Sequence, residues 1–224
     1  MKPYKLTDEY PESLQPVRGL RKGGPGKQIV HFPSLKNEGV VVCESKLEAD
    51  FCLWMEYSEK VISYQPQPER FEFVMDGGVY SYTPDFLANL FTGQKAYWEV
   101  KHESIKSDHD YLEKFSMARQ HVASRGCKLE LATSAAIQKK PQIDTLRMLY
   151  ARAHVTQDSA RNYLADCLAK IGGTSTWGTL CALEVAPSLS ALATMLFRHD
   201  VDVDLGTRFG RNTRIALKER SVYE

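Results

Sequence analysis

The sequence predicts an α/β protein, a mixed sheet flanked by helices, followed by a small, mostly helical C-terminal domain of winged-helix-like plan. Three observations predict it. Between residues 38 and 134, β-branched and aromatic runs of period two alternate with segments of helical period. Two of those runs meet at Met75-Asp76-Gly77-Gly78, where Asp-Gly readily takes the positive φ of a tight hairpin. Around residues 138–141 the β signal stops, and helical patterns follow.

The elements follow in chain order. Residues 1–30 are too rich in Gly and Pro for regular structure and read as an extended basic arm. Residues 31–138 form the first domain. In it 38–44 are a β-branched strand, and Leu47, Phe51, Leu53, Trp54 and Tyr57 have near-helical spacing, so a strand feeds a helix. Residues 61–65, 70–75 and 79–90 read as strands, with a further strand at 96–101 after the turn Thr92-Gly93-Gln94. A helix over 108–126 ends at Gly126, and 128–134 form another strand. In the second domain, 139–224, helices are expected at 141–155, 159–172, 175–185 and 188–200, closed by a hairpin over 201–217.

Composition narrows the class. With 43% hydrophobic and 25% charged residues among 224, the chain has the profile of a folded domain rather than a disordered tail. No apolar run approaches the roughly 18 residues of a membrane span, so no membrane partner and a cytoplasmic location are expected. The five cysteines (Cys43, Cys52, Cys127, Cys167, Cys181) include no C-x-x-C pair and read as buried thiols. The net charge of +1 neither requires nor excludes a polyanion, but both ends are basic: residues 1–30 hold six Lys/Arg against three acids, and 205–224 hold five against two.

The chemistry concentrates in Tyr82-Thr83-Pro84-Asp85-Phe86 and Tyr97-Trp98-Glu99-Val100-Lys101, which set two carboxylates and a lysine on neighbouring strands. Strand alternation points Glu99 and Lys101 to one face and Val100 into the core. Phosphodiester hydrolysis needs carboxylates to hold divalent cations and a cation beside the attacking water. Asp85 can bridge a Mg²⁺ and a phosphate, Glu99 can hold the other side, and Lys101 can orient the water. An exposed cross-strand ion pair (Glu99, Lys101) and a turn acid (Asp85) are the plainer readings.

A third acid is offered by Glu48 on the first turn of the preceding helix. Ser45-Lys46-Leu47-Glu48 also fits the S-x-x-E capping box, in which the glutamate serves only the helix start. Glu44, just before the helix, is the weaker candidate. Helix glutamate, Pro-Asp and E-x-K, with 14 residues from Asp85 to Glu99, match the signature of restriction-endonuclease-like nucleases.

Beyond that signature, Glu44-Ser45-x-Leu47-Glu48-x-Asp50-Phe51, Tyr64-Gln65-Pro66-Gln67, the Tyr-Thr-Pro-Asp-Phe run and Glu99-Val100-Lys101 resemble the TnsA endonuclease subunit of heteromeric, TnsABC-type transposases over roughly residues 35 to 135. The C-terminal part is similar in plan to that family's second domain. The resemblance implies a restriction-endonuclease-like fold and a nuclease that cuts the 5′, non-transferred strands at transposon ends, in an element of the CRISPR-associated kind. It implies Mg²⁺, with Mn²⁺ substituting, as cofactor. The implied site is Glu48, Asp85, Glu99 and Lys101, with metal held by Glu48, Asp85, Glu99 and the carbonyl of Val100. The implied partners are double-stranded DNA, a DDE-type transposase subunit and an ATP-dependent regulator; the chain itself has no Walker motif.

Flanking residues carry two readings each. His102 follows the lysine and reads either as a proton shuttle or, since alternation turns it from the site, as a residue outside it. Gln65 is either a DNA or water contact or a packing residue. Arg208, Arg211 and Arg214 in the hairpin either contact phosphates or lie solvated. The rival functions are a stand-alone restriction- or resolvase-type nuclease and a non-catalytic DNA-binding assembly subunit.

Overall fold

The structure, a computed structural model, describes residues 28–75, 77–155 and 157–218; the expected N-terminal arm lies almost wholly outside them. The chain divides between Ile137 and Gln138 into two compact units.

The first unit is built on a four-stranded sheet. Its strands are β3 (Val61–Pro66), β6 (Phe86–Leu90), β7 (Lys95–Lys101) and β8 (Lys128–Thr133), in the order β3-β6-β7-β8. β3, β6 and β7 pair antiparallel, while β7 and β8 pair parallel through the crossover helix α2 (His109–Ser124). The sheet is therefore mixed, with helices on both sides. On one face Phe71, Leu87, Tyr97, Phe115, Ala118, Val122 and Leu129 form the core beneath α2. On the other, Phe51 of α1 (Lys46–Tyr57) packs its ring 5.7 Å from Phe86 and 5.2 Å from Trp98. Burial on both faces explains why Ala96, Tyr97 and Trp98 run apolar without alternation in β7.

Local chemistry sets the boundaries. Ser45 caps α1, accepting from the Glu48 N–H at 3.1 Å. At the other end of α1, Glu56 is buried, and its carboxylate accepts from Ser34 Oγ at 2.5 Å and from the Tyr64 hydroxyl at 2.7 Å. Those bonds tie α1 to β1 (Val30–Ser34) and β3, which fixes where its first turn lies. Neither β1 nor its antiparallel pairing with β2 (Gly39–Cys43) follows from the pattern reading. The run 79–90, expected as one strand, is two: β5 (Gly78–Tyr82) pairs with β4 (Phe71–Met75), and β6 joins the main sheet. Thr83-Pro84-Asp85 separates them, because proline has no N–H to give a ladder. Gly93 (φ 77°) and Gly126 (φ 74°) take the left-handed backbone at the β6–β7 turn and the end of α2.

After the short helix α3 (Ser134–Ile137), the second unit contains α4 (Gln142–Ala153), α5 (Asp158–Lys170), β9 (Thr174–Thr176), α6 (Trp177–Leu180), α7 (Leu189–Phe197), β10 (Val201–Val203) and β11 (Arg214–Leu217). The helix expected over 175–185 is replaced by the end of β9 and a four-residue helix. β9 then pairs with β11, making a three-stranded sheet, β10-β11-β9, where a two-stranded hairpin was expected. β9 escapes pattern reading because three residues, Thr-Ser-Thr, carry no hydrophobic alternation. All five cysteines are free; Cys43, Cys52 and Cys167 are buried, whereas Cys181 is exposed against expectation. No helix among the described residues is long and apolar enough to cross a membrane.

Candidate active site

Asp85 sits just before β6, 8% exposed, and its Oδ2 is the hub of the site. It accepts from the backbone N–H of Val100 at 2.8 Å and from Lys101 Nζ at 3.2 Å. It is not a free turn acid. Lys101 Nζ also lies 2.5 Å from Glu99 Oε1, and Glu99 is 4% exposed, so the exposed surface pair considered for Glu99 and Lys101 is not what folds. The alternation of β7 sends both side chains to one face, as the E-V-K pattern predicts.

Glu48 takes up the capping role that its S-x-x-E spacing offers. Its Oε1 accepts from Ser45 Oγ at 2.9 Å and its Oε2 from the Glu44 N–H at 2.7 Å, a reciprocal capping arrangement. Yet it is also near enough to Asp85 to feel its charge: burial first, and then the Asp85 carboxylate, push the Glu48 carboxyl up to about 7. Glu99 is likewise pushed up to about 7, by burial and then by Asp85, against the opposing pull of Lys101 and Tyr82. Burial works to lower Lys101, but the Asp85 and Glu99 charges outweigh it and hold the ammonium above its ordinary value. The structure thus brings Glu48, Asp85, Glu99 and Lys101 into one electrostatic neighbourhood in which acids outnumber the lysine.

Three residues escaped the sequence reading. The Tyr82 hydroxyl donates to Glu99 Oε2 at 2.7 Å. Tyr111, on the first turn of α2, has a buried hydroxyl held above the usual phenol range by burial and by the Glu99 charge. Gln67 donates its backbone N–H to the Asp85 carbonyl at 2.8 Å. Tyr82 and Gln67 lie inside the quoted motifs, but nothing in their spacing separates them from packing residues; Tyr111 has no local signal at all. Of the flanking candidates, His102 caps the turn at Glu103–Ser107, its Nδ1 accepting from the Ser104 N–H at 3.2 Å, which gives it a structural task. Gln65 pairs with Leu87 within the sheet.

The donors suit a hard cation such as Mg²⁺, which prefers carboxylate oxygens. Among the described residues, however, no three His, Cys, Asp or Glu side chains gather closely enough to hold a metal ion as they stand. Both carboxylate oxygens of Glu48 and of Glu99 are engaged in bonds, and among the described residues no hydrogen bond reaches Asp85 Oδ1.

In the second unit, Arg208, Arg211 and Arg214 are all exposed. Their loop is held by defined bonds: Gly206 N–H to Asp204 Oδ1 at 2.8 Å, Gly210 N–H to Thr213 Oγ1 at 2.8 Å, and Gly178 N–H to the Arg211 carbonyl at 2.6 Å. α7, the helix before the hairpin, is buried from Ala191 to Phe197.

A mixed sheet between helices, with a Pro-Asp and an E-x-K meeting on adjacent strands, defines a nuclease-like α/β core. Comparison with known families agrees: residues 58–134 match the family described as TnsA-like endonuclease N terminal. The match contains Asp85, Glu99, Val100 and Lys101 and begins after α1, so Glu48 lies outside it. It supports a TnsA-like relationship and suggests nuclease activity in a transposase setting. No curated protein matches the chain.

Proposed function

We propose that this chain is a Mg²⁺-dependent DNA endonuclease subunit of a transposase, cutting the 5′ strands at transposon ends, with Glu48, Asp85, Glu99 and Lys101 as its site. The observation that carries the reading is the electrostatic imbalance around Asp85: buried acids oppose one another with a single lysine to offset them, a condition a divalent cation would relieve. A Mg²⁺ or Mn²⁺ ion supplies Lewis acidity at the phosphate and lowers the pKa of a water.

Asp85 would be the principal residue to hold the metal. Glu48, Glu99 and the Val100 carbonyl would complete the set of residues that holds it. Lys101 stays charged at neutral pH, so its task is to orient the water and steady charge on the phosphate rather than to act as a neutral base. In-line attack leaves a 3′-hydroxyl and a 5′-phosphate. One site per chain makes one nick, so a double-strand break needs a second copy or a DDE-type transposase subunit.

The C-terminal unit supports a winged-helix-like reading: helix, strand, short helix, helix and hairpin, with β9 beside the hairpin. Since α7 is buried, DNA contact falls to the arginines of the loop instead of to a groove-reading helix. An ATP-dependent regulator is the proposed further partner of this unit.

Titrating Mn²⁺ into the full chain and into Asp85→Ala, with nicking of supercoiled plasmid followed in parallel, tests the reading. Binding and nicking that both vanish in the variant are expected. Undiminished Mn²⁺ binding favours the non-catalytic assembly subunit, and sequence-specific double-strand cleavage by the chain alone favours the stand-alone nuclease.

A further inference from the structure

Gln67 follows β3 and is bonded through its backbone N–H to the carbonyl of Asp85. Its φ is 42°, a left-handed backbone that disfavours any side chain and that glycine takes freely. The residue is 4% exposed, and its side-chain Oε1 is buried with no hydrogen-bond partner among the described residues. A strained backbone and an unsatisfied buried carbonyl coincide on one residue, next to the hub of the candidate site. Such pairs of local costs persist where the side chain has work that a less costly residue cannot do.

We propose that Gln67 is a positioning residue of the cutting site, its side-chain oxygen accepting a hydrogen bond from a water molecule held beside Asp85 and orienting that water toward the phosphate. The inference rests on the nuclease reading above. A buried acceptor in a polar setting takes a water when no protein donor reaches it. The neutral carboxamide is also the acceptor that suits this place. A carboxylate here would add another negative charge to those of Glu48, Asp85 and Glu99, whereas an amide oxygen orients a water proton without deepening that repulsion. The main-chain bond to Asp85 then keeps the water's holder and the principal acid in fixed relation.

Replacing Gln67 with glycine in the full chain separates this role from a structural one. Gln67→Gly relieves the left-handed backbone, so the metal-free Tm should equal or exceed that of wild type, by about 2–4 °C. Nicking of supercoiled plasmid in Mn²⁺ at saturating DNA should fall at least about tenfold, while duplex binding in Ca²⁺ changes less than about twofold. A crystal structure of the wild type should show an ordered water within hydrogen-bond reach of the Gln67 side-chain oxygen, absent from the glycine variant. Nicking that survives the substitution, a lowered Tm, or a Gln67 oxygen paired with a protein donor overturns the inference. An inactive wild type whose Mn²⁺ binding is indifferent to Asp85→Ala is a different failure: it removes the nuclease reading, and this role with it.

Discussion

The backbone N–H of Val100 donates to Asp85 Oδ2 across 2.8 Å, so the principal acid of the site is held by the main chain of the strand that carries Glu99 and Lys101. The bond gives two substitutions different consequences. Asp85→Ala leaves a buried N–H without its acceptor and should cost about 1–3 kcal/mol of stability. Asp85→Asn keeps an oxygen for Val100 and should stay within about 1 kcal/mol of wild type, yet lose Mn²⁺ binding as fully as the alanine variant. Urea denaturation beside calorimetric titration distinguishes them, and an asparagine variant that still binds Mn²⁺ would remove Asp85 as a ligand.

Glu48 and Glu99 link stability to pH. Both are pushed up to about 7 from the ordinary carboxylate range in the folded chain, so between those limits the native state binds more protons than the unfolded one. Stability of the metal-free protein should therefore be greatest at the acid end of that window and fall as pH rises toward about 7, by on the order of 3 kcal/mol for Glu48 alone. Thermal melts should show Glu48→Gln above wild type at about pH 8 and no such gain at about pH 5. Added Mg²⁺ should raise the Tm more at the higher pH; a Tm that climbs steadily from about pH 5 to pH 8 without metal contradicts the sign.

Tyr82 favours the ionised form of Glu99 against burial and the Asp85 charge. Its hydroxyl, held far above the usual phenol range by burial and the Glu99 charge, remains a donor at every working pH. Tyr82→Phe removes a bond that favours the charged carboxylate, so the Glu99 carboxyl should move higher and the acid limb of the pH-rate profile should shift to higher pH. The stability loss should be about 1 kcal/mol. An unshifted limb would mean that Glu99 does not titrate in the reaction.

Exposed arginines on a tethered loop make a prediction about salt. If Arg208 and Arg211 each neutralise one phosphate, alanine at either position should reduce the slope of log K against log salt by about 0.9 for duplex DNA. Filter binding from about 50 to 200 mM salt reads this directly. A slope equal to that of wild type assigns the loop to solvent or to a protein partner.

What the sequence by itself determined were features whose cause is local. Gly77 (φ 75°) serves the turn between β4 and β5 because that turn needs positive φ, Ser45 caps α1 because its hydroxyl meets an orphan N–H, and E-V-K puts Glu99 and Lys101 on one face because a strand repeats every two residues. The matched stretch 58–134 is also legible, since its motif acids and lysine lie on consecutive antiparallel strands. Only the tertiary structure decided that Glu48, the cap of α1, also lies where the Asp85 charge reaches it, because α1 is pinned through Glu56 to β1 and β3. Likewise Tyr82, Tyr111 and Gln67 enter the neighbourhood through a hairpin, a crossover helix and a strained strand end. No periodicity within a short window encodes which side chains meet when separate elements pack; that depends on long-range burial, which depends on the whole unit at once.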